Sequence, residues 1–287
     1  MSQNECLVAA IHDLSGFGRC SLSVILPTLS AMGIQVCAIP TAVLSTHTGG
    51  LGEVVHRDLT DYIAPTLQHY QEINLHFDCV YSGFLLSQAQ FEHCDQFFKS
   101  YPEALAVVDP VMGDHGKTYR TCTPEIRAEM RELVKRADVI TPNLTEARIL
   151  LQEEYSDVPL TVSEAKKLLL RLSHLGPKYV LITGVEMVNG VLSNLGYDST
   201  RNAFWHVECD YVPVSYPGTG DIFASIIVGS LLSGDSLPIA MERATRFLEL
   251  AIKTTFSYGT DPRYGVMLEK SLPWLTQKHS LQGYHIL

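Results

Sequence analysis

Short apolar runs alternate with longer amphipathic stretches along most of the chain. The runs Cys6–Ile11, Val36–Val43, Cys79–Ser82, Leu105–Val108, Val139–Thr141 and Tyr179–Thr183 are each closed by Gly, Pro, Asn or Asp, and read as buried strands. Between them, Ser21–Met32, Asp58–Gln71, Ser87–Phe98, Thr123–Lys135, Thr145–Leu151 and Ser163–Leu175 carry helical patterning. Several of these open on Ser, Thr or Asp, whose side chains accept from the unpaired N–H groups of a first helical turn. Strand–helix–strand order predicts βαβ units. The expected fold is therefore α/β, a central and mostly parallel sheet covered by helices on both faces, with ligands at the carboxyl ends of the strands. Asn189–Tyr197 and Ala203–Val212 follow one another without a helix, which predicts a hairpin at the sheet edge. No repeat, low-complexity tract or compositional break divides residues 1–287, so a single domain is expected. The tail after residue 265 is irregular, and its pattern assigns it no role.

Composition narrows the class. The formal net charge of -10 opposes attraction to a phosphate backbone or an anionic membrane, so neither nucleic acid nor membrane is an expected partner. No segment long enough to span a bilayer lacks charged or strongly polar residues, and the first residues lack the basic start and apolar run of a signal peptide; a cytoplasmic location is expected. Seven Cys without CxxC pairing point to free, mostly buried thiols and give a zinc site little support.

The sharpest chemical signal is Pro217-Gly218-Thr219-Gly220-Asp221, a glycine turn running straight into the apolar helix that begins Ile222-Phe223-Ala224. The N–H groups of that helix's first turn, with the positive end of its dipole, form a pocket for an anion. Asp221 at its mouth is placed to take the proton of a substrate hydroxyl as that oxygen attacks phosphorus. A turn with an ordinary helix cap explains the tetrapeptide alone equally well, and the decision rests on context. Two further strand ends carry acidic or amide groups, Asp109-Pro110-Val111-Met112-Gly113-Asp114 and Thr141-Pro142-Asn143-Leu144-Thr145-Glu146. Asp109, Asn143 and Glu146 could hold Mg²⁺ directly or through waters, since Mg²⁺ prefers oxygen ligands. Taken singly, Asn143 or Thr145 is as well read as a helix cap and Glu146 as a first-turn acid. Neither a Walker A motif nor the protein-kinase set occurs.

Two other loops follow strands. His12-Asp13-Leu14-Ser15-Gly16-Phe17-Gly18-Arg19 lacks the full GxGxxG, which disfavours a dinucleotide. Thr46-His47-Thr48-Gly49-Gly50 gathers groups able to hydrogen-bond a small polar ring, although a lone His is more often structural.

The segments DPVMGD at Asp109–Asp114, TPNLTE at Thr141–Glu146, Thr183-Gly184 and GTGD at Gly218–Asp221 occur in the order and approximate spacing of the ribokinase-like superfamily, and the chain resembles its vitamin kinases over nearly its whole length. The resemblance implies a three-layer αβα sandwich, Mg²⁺ and ATP at the carboxyl edge of the sheet, and a homodimer. A monovalent cation such as K⁺ is a further cofactor that it leaves open. It makes Asp221 the base, Gly218, Thr219 and Gly220 the anion hole, and Asp109, Asn143 and Glu146 the metal and phosphate network. Thr183 would lie by the ATP phosphates, with Asp114, Gly116 and Tyr119 in a flap over the nucleotide.

Ser45-Thr46-His47-Thr48-Gly49 resembles the SNHTG of pyridoxal kinases, and Ser82-Gly83-Phe84 their SGY or TGY. This implies a B6 vitamer (pyridoxal, pyridoxine or pyridoxamine) as the substrate, phosphorylated on its 5'-hydroxymethyl group, with Asp13, Ser15, His47, Thr48 and Phe84 around the ring. The first loop, DLSGFG, is similar instead to the DPSGGAG of hydroxymethylpyrimidine kinases, and a hydroxymethylpyrimidine or hydroxymethylpyrimidine-phosphate kinase of thiamine biosynthesis is the alternative. A non-catalytic vitamer-binding protein is the reading from another class.

Overall fold

The computed structural model describes residues 6–287. The chain runs β1 (Leu7–Ser15), α1 (Leu22–Ala31), β2 (Gln35–Leu44), β3 (His56–Asp58), α2 (Thr60–Glu72), β4 (Cys79–Ser82), α3 (Gln88–Ser100) and β5 (Leu105–Val108). It continues through the small hairpin β6 (Gly113–Asp114) and β7 (Lys117–Thr118) to α4 (Pro124–Val134), β8 (Val139–Ile140), α5 (Leu144–Leu150), α6 (Val162–Ser173) and β9 (Tyr179–Glu186). Last come β10 (Leu192–Asp198), β11 (Ala203–Glu208), α7 (Thr219–Leu232), α8 (Leu237–Tyr258), α9 (Leu268–Ser271) and β12 (Tyr284–Ile286). Apart from β6 and β7, the strands form one ten-stranded sheet in the order β12-β11-β10-β9-β8-β5-β4-β1-β2-β3.

The three layers follow from strand pleating. On β1, Val8 and Ala10 point into a core built with α1, α7 and α8, while Ala9 and Ile11 point into a second core against α2 to α6. All four are fully buried, as a strand covered on both faces requires. The pairings β2–β1, β1–β4, β4–β5, β5–β8 and β8–β9 are parallel, and antiparallel pairing is confined to the two ends of the sheet. Because β1 has β2 on one side and β4 on the other, the loops leaving their carboxyl ends diverge and open a crevice at β1, the place where such sheets bind ligands.

Two expectations change at the sheet edges. The β10–β11 hairpin forms but is not the edge: β12 pairs antiparallel with β11, matching Trp205 with Ile286 and Val207 with Tyr284. The unassigned tail thus supplies the last strand, a three-residue segment too short to leave a periodic pattern. At the other edge, Asp58 ends β3 rather than opening a helix, and its carboxylate accepts the Thr60 N–H at 2.8 Å. β3 reads His-Arg-Asp and is exposed throughout, the charged kind of edge that resists further strand addition. All seven cysteines are free thiols. Among the described residues, no helix is long and apolar enough to cross a membrane.

Candidate active site

The head of α7 is shaped by two glycines with different duties. Gly218 has φ +79°, and a Cβ there would stand 2.1 Å from the Arg19 carbonyl oxygen and 2.8 Å from Cys20 Cα, so its bareness lets the turn press against the first loop. At Gly220 a Cβ would meet no atom within 4 Å, leaving open space at the helix mouth. Thr219 anchors the turn by donating its hydroxyl to the Tyr216 carbonyl at 3.1 Å.

Asp221 follows in the first turn and is buried. Its Oδ2 accepts the Ser21 N–H at 2.7 Å, and its Oδ1 lies 3.1 Å from His12 Nε2. The other imidazole nitrogen, Nδ1, is 2.9 Å from Asp13 Oδ1, and the Ser15 hydroxyl donates to Asp13 Oδ2 at 3.0 Å. The end of β1 and the head of α7 are therefore joined by the chain Ser15–Asp13–His12–Asp221. Burial by itself disfavours a charged imidazole, but the carboxylates of Asp221 and Asp13 outweigh it and push His12 up to about 10. Burial likewise opposes ionisation of Asp13, yet the bond to His12 holds its carboxyl below the usual range.

A second acidic group lies on the neighbouring strand ends. Asp109, just past β5, accepts the Thr141 hydroxyl at 3.0 Å; burial first, then the nearby Asp221 charge, push it up to about 7. Asn143 and Glu146 form a capping box on α5, Asn143 Oδ1 accepting the Glu146 N–H and Glu146 Oε2 accepting the Asn143 N–H, both at 2.9 Å. Glu146 Oε1 also accepts the Met112 N–H at 3.1 Å, and Asn143 Nδ2 donates to the Gly113 carbonyl at 2.8 Å. Both side chains thus tether the β6–β7 hairpin, which carries Asp114 and, just beyond it, Tyr119. Gly116 at its tip donates to the Thr145 hydroxyl at 2.9 Å. Burial, with Asp109 nearby, drives Glu146 well above the usual carboxyl range despite those two N–H donors. Thr183 on β9 bridges to Asn143, which brings it to the same place.

Among the described residues no cluster of three or more His, Cys, Asp or Glu forms a preassembled metal cage. Mg²⁺ does not need one, since it keeps waters and takes one or two carboxylates plus phosphate oxygens. Asp109, disfavoured as an anion by burial and then by Asp221, and Glu146, disfavoured by burial and then by Asp109, fit a divalent cation that would offset those costs. The consequence for stability has a definite sign. Asp109 goes from 3.8 to about 7 on folding, so the fold loses stability as pH rises from about 4 through 7, where the unfolded chain ionises the group freely and the folded one does not. Thermal unfolding should then show Mg²⁺ raising Tm more at pH 8 than at pH 5. An equal effect at both would remove Asp109 from the metal set.

The loops after β2 and β4 complete the rim. Phe84, beyond β4, places its N–H 3.3 Å from His12 Nε2. Thr48 is exposed, but His47 is buried with both ring nitrogens in use: Nδ1 accepts the Gly49 N–H at 2.9 Å and Nε2 lies 2.6 Å from the Arg263 carbonyl. In this arrangement His47 ties its loop to the segment after α8 and offers no free nitrogen to a ring. The structural reading of that histidine is the one the geometry favours. Likewise both carboxylate oxygens of Asp13 have protein partners. Sequence reasoning missed His12 and Gly83. The signal for His12 was present, a His-Asp pair closing an otherwise apolar strand.

Comparison with known proteins finds kinases similar to this chain over most of its length. The phosphomethylpyrimidine kinase family model matches residues 25–265. A curated pyridoxal kinase of Rubrobacter xylanophilus is 29% identical, covering 95% of this chain and 96% of its own. A crystal structure of a proposed phosphomethylpyrimidine kinase from Bacteroides thetaiotaomicron, in a form with pyridoxal, is 44% identical with a TM-score of 0.94, covering 99% of this chain and 100% of that one. The pyridoxal kinase of Lactobacillus plantarum superposes with a TM-score of 0.86 at 33% identity, covering 95% and 96% of the two chains. With the sheet order, the α7 turn and these likenesses in hand, the chain belongs to the phosphomethylpyrimidine kinase family and is a ribokinase-like kinase that phosphorylates an alcohol group.

Proposed function

We propose that this kinase transfers the γ-phosphoryl group of ATP to the 5'-hydroxymethyl group of a B6 vitamer, acting as a cytoplasmic homodimer of single-domain subunits. The observation that carries the chemistry is Asp221, a carboxylate held by both oxygens at the open head of α7 and facing the crevice at β1. The pyridoxal form of the 44% identical relative supports the choice of substrate.

In this reading the vitamer hydroxyl gives its proton to Asp221 while its oxygen forms the new bond to the γ-phosphorus. The bond to the bridging oxygen breaks and ADP leaves. Backbone N–H groups at Gly218, Thr219 and Gly220 receive the charge on the transferring group. Asp109, with Asn143 and Glu146 through waters, would hold Mg²⁺, which when bound neutralises phosphate oxygens. Thr183 sits beside the phosphates, and the flap bearing Asp114, Gly116 and Tyr119 excludes water that would otherwise hydrolyse ATP. Ser15, Thr48 and Phe84 form the ring's surroundings. The Asp13 carboxylate lies behind Ser15 as its partner.

One observation favours a second reading: Asp13-Leu14-Ser15-Gly16-Phe17-Gly18 is close to the hydroxymethylpyrimidine-kinase loop, and the matching family model bears that activity's name. Turnover with Mg²⁺ and ATP, measured in parallel on pyridoxal, pyridoxine, pyridoxamine and hydroxymethylpyrimidine, separates the two. The expected result is a higher kcat/KM on at least one B6 vitamer than on the pyrimidine. Turnover of the pyrimidine alone would establish the second reading. Vitamer binding with no ATP consumed would leave a binding protein.

A further inference from the structure

His12 has no place in the phosphoryl-transfer scheme above, yet it is buried, 2% exposed, and touches the base. Its ring spans from β1 to the head of α7, with a carboxylate at each nitrogen. The slot that holds it exists because residue 83 is glycine: a Cβ at Gly83 would stand 2.0 Å from His12 Cδ2 and 2.1 Å from Nε2. Gly83 does not need glycine for its backbone, since its φ lies outside the left-handed region, so this close approach is what an added methyl would break.

A carboxylate that hydrogen-bonds through only one oxygen can swing about its Cβ–Cγ bond. Asp221 cannot, because the Ser21 N–H fixes one oxygen and the imidazole the other, leaving only the outward lone pairs for a substrate proton. The imidazole in turn is kept from rotating by Asp13, and Asp13 by Ser15. Such a succession is the usual way a reactive group is held within the narrow tolerance of proton transfer.

We propose that His12 is a positioning residue for Asp221, orienting the base toward the acceptor hydroxyl from a slot that Gly83 leaves open. The carboxylate at each ring nitrogen supports this: with Asp13 at 2.9 Å and Asp221 at 3.1 Å the protonated ring is favoured and can donate to both, although the Asp13 and Phe84 N–H groups also approach those nitrogens, at 3.0 and 3.3 Å. The other ionisable groups around the pair are Asp109, Cys20 and Tyr81, none of which bonds to the ring.

The proposal rests on Asp221 being the base, and a double-mutant cycle keeps the two apart. Glutamine at position 12 can donate to only one of the two carboxylates. His12→Gln should lower kcat roughly 10- to 100-fold while KM for ATP stays within about twofold, and Gly83→Ala should lower kcat in the same way by displacing the ring. In an Asp221→Asn background, adding His12→Gln should cost nothing further, because there is no base left to orient. An equal loss in both backgrounds, or a raised KM at unchanged kcat in both single variants, would overturn the proposal. Full activity of Asp221→Asn by itself would instead overturn the assignment of the base. Should His12→Gln fail to fold, Gly83→Ala and its combination with Asp221→Asn give the same cycle.

Discussion

Asp221→Asn is expected to lower kcat by about 10²-fold or more while leaving the binding of ATP and vitamer close to that of the parent enzyme. The substitution keeps shape and removes only the capacity to take a proton. An asparagine oxygen can still accept the Ser21 N–H that Asp221 accepts at 2.7 Å, and the amide then faces His12 Nε2, which can release its proton and accept instead. The turn and α7 should therefore stand, and thermal unfolding should confirm it. Steady-state kinetics with ATP and vitamer varied in turn is the measurement. A variant that keeps full rate would show that the hydroxyl proton leaves by another route.

The second large effect is a contrast between two glycines two residues apart. Gly218→Ala should destabilise the fold, because φ +79° disfavours any side chain by about 1–3 kcal/mol and the new methyl meets backbone atoms of Arg19 and Cys20 that cannot swing aside. At roughly 2–4 °C per kcal/mol for a chain of this size class, the loss should be plain in a melting curve. Gly220→Ala should do the reverse. It is a helical position with nothing within 4 Å of the added carbon, so helix propensity favours alanine by about 0.5–1 kcal/mol. Its methyl, however, occupies the open mouth where the phosphoryl group would bind, and kcat should fall about tenfold or more as Tm holds or rises. A Gly220→Ala enzyme of undiminished activity would take Gly220 out of the anion hole.

Much of the architecture is legible in the sequence. The runs Cys79–Ser82 and Leu105–Val108 are strands at those bounds, and the helices expected from Thr123 and Ser87 begin one residue later because those residues are their caps. Asn143 and Glu146 show the limit of local reading. Their spacing announces a capping box and equally a pair of oxygen ligands, and the geometry displays the box while leaving the carboxylate beside Asp109. His47 shows it again, since nothing near it in sequence says that both nitrogens are already bonded.

By itself the sequence determined what local periodicity and backbone geometry can encode. That covers the alternation of strands and helices, the glycine turn that opens α7, and the placing of Asp109, Asn143 and Asp221 at strand ends or a helix head, whereas β9 runs on past Thr183 to Glu186. Only the tertiary structure decided which distant groups meet. It set Asp221 against Ser21, 200 residues away, and His47 against Arg263, 216 residues away, laid β12 on β11, and passed His12 through the slot at Gly83 to the base. A polar side chain declares in the sequence what it can bond. Its partner is chosen by the packing of the sheet and its two helical layers, which bury those groups together and leave them no water to bond instead.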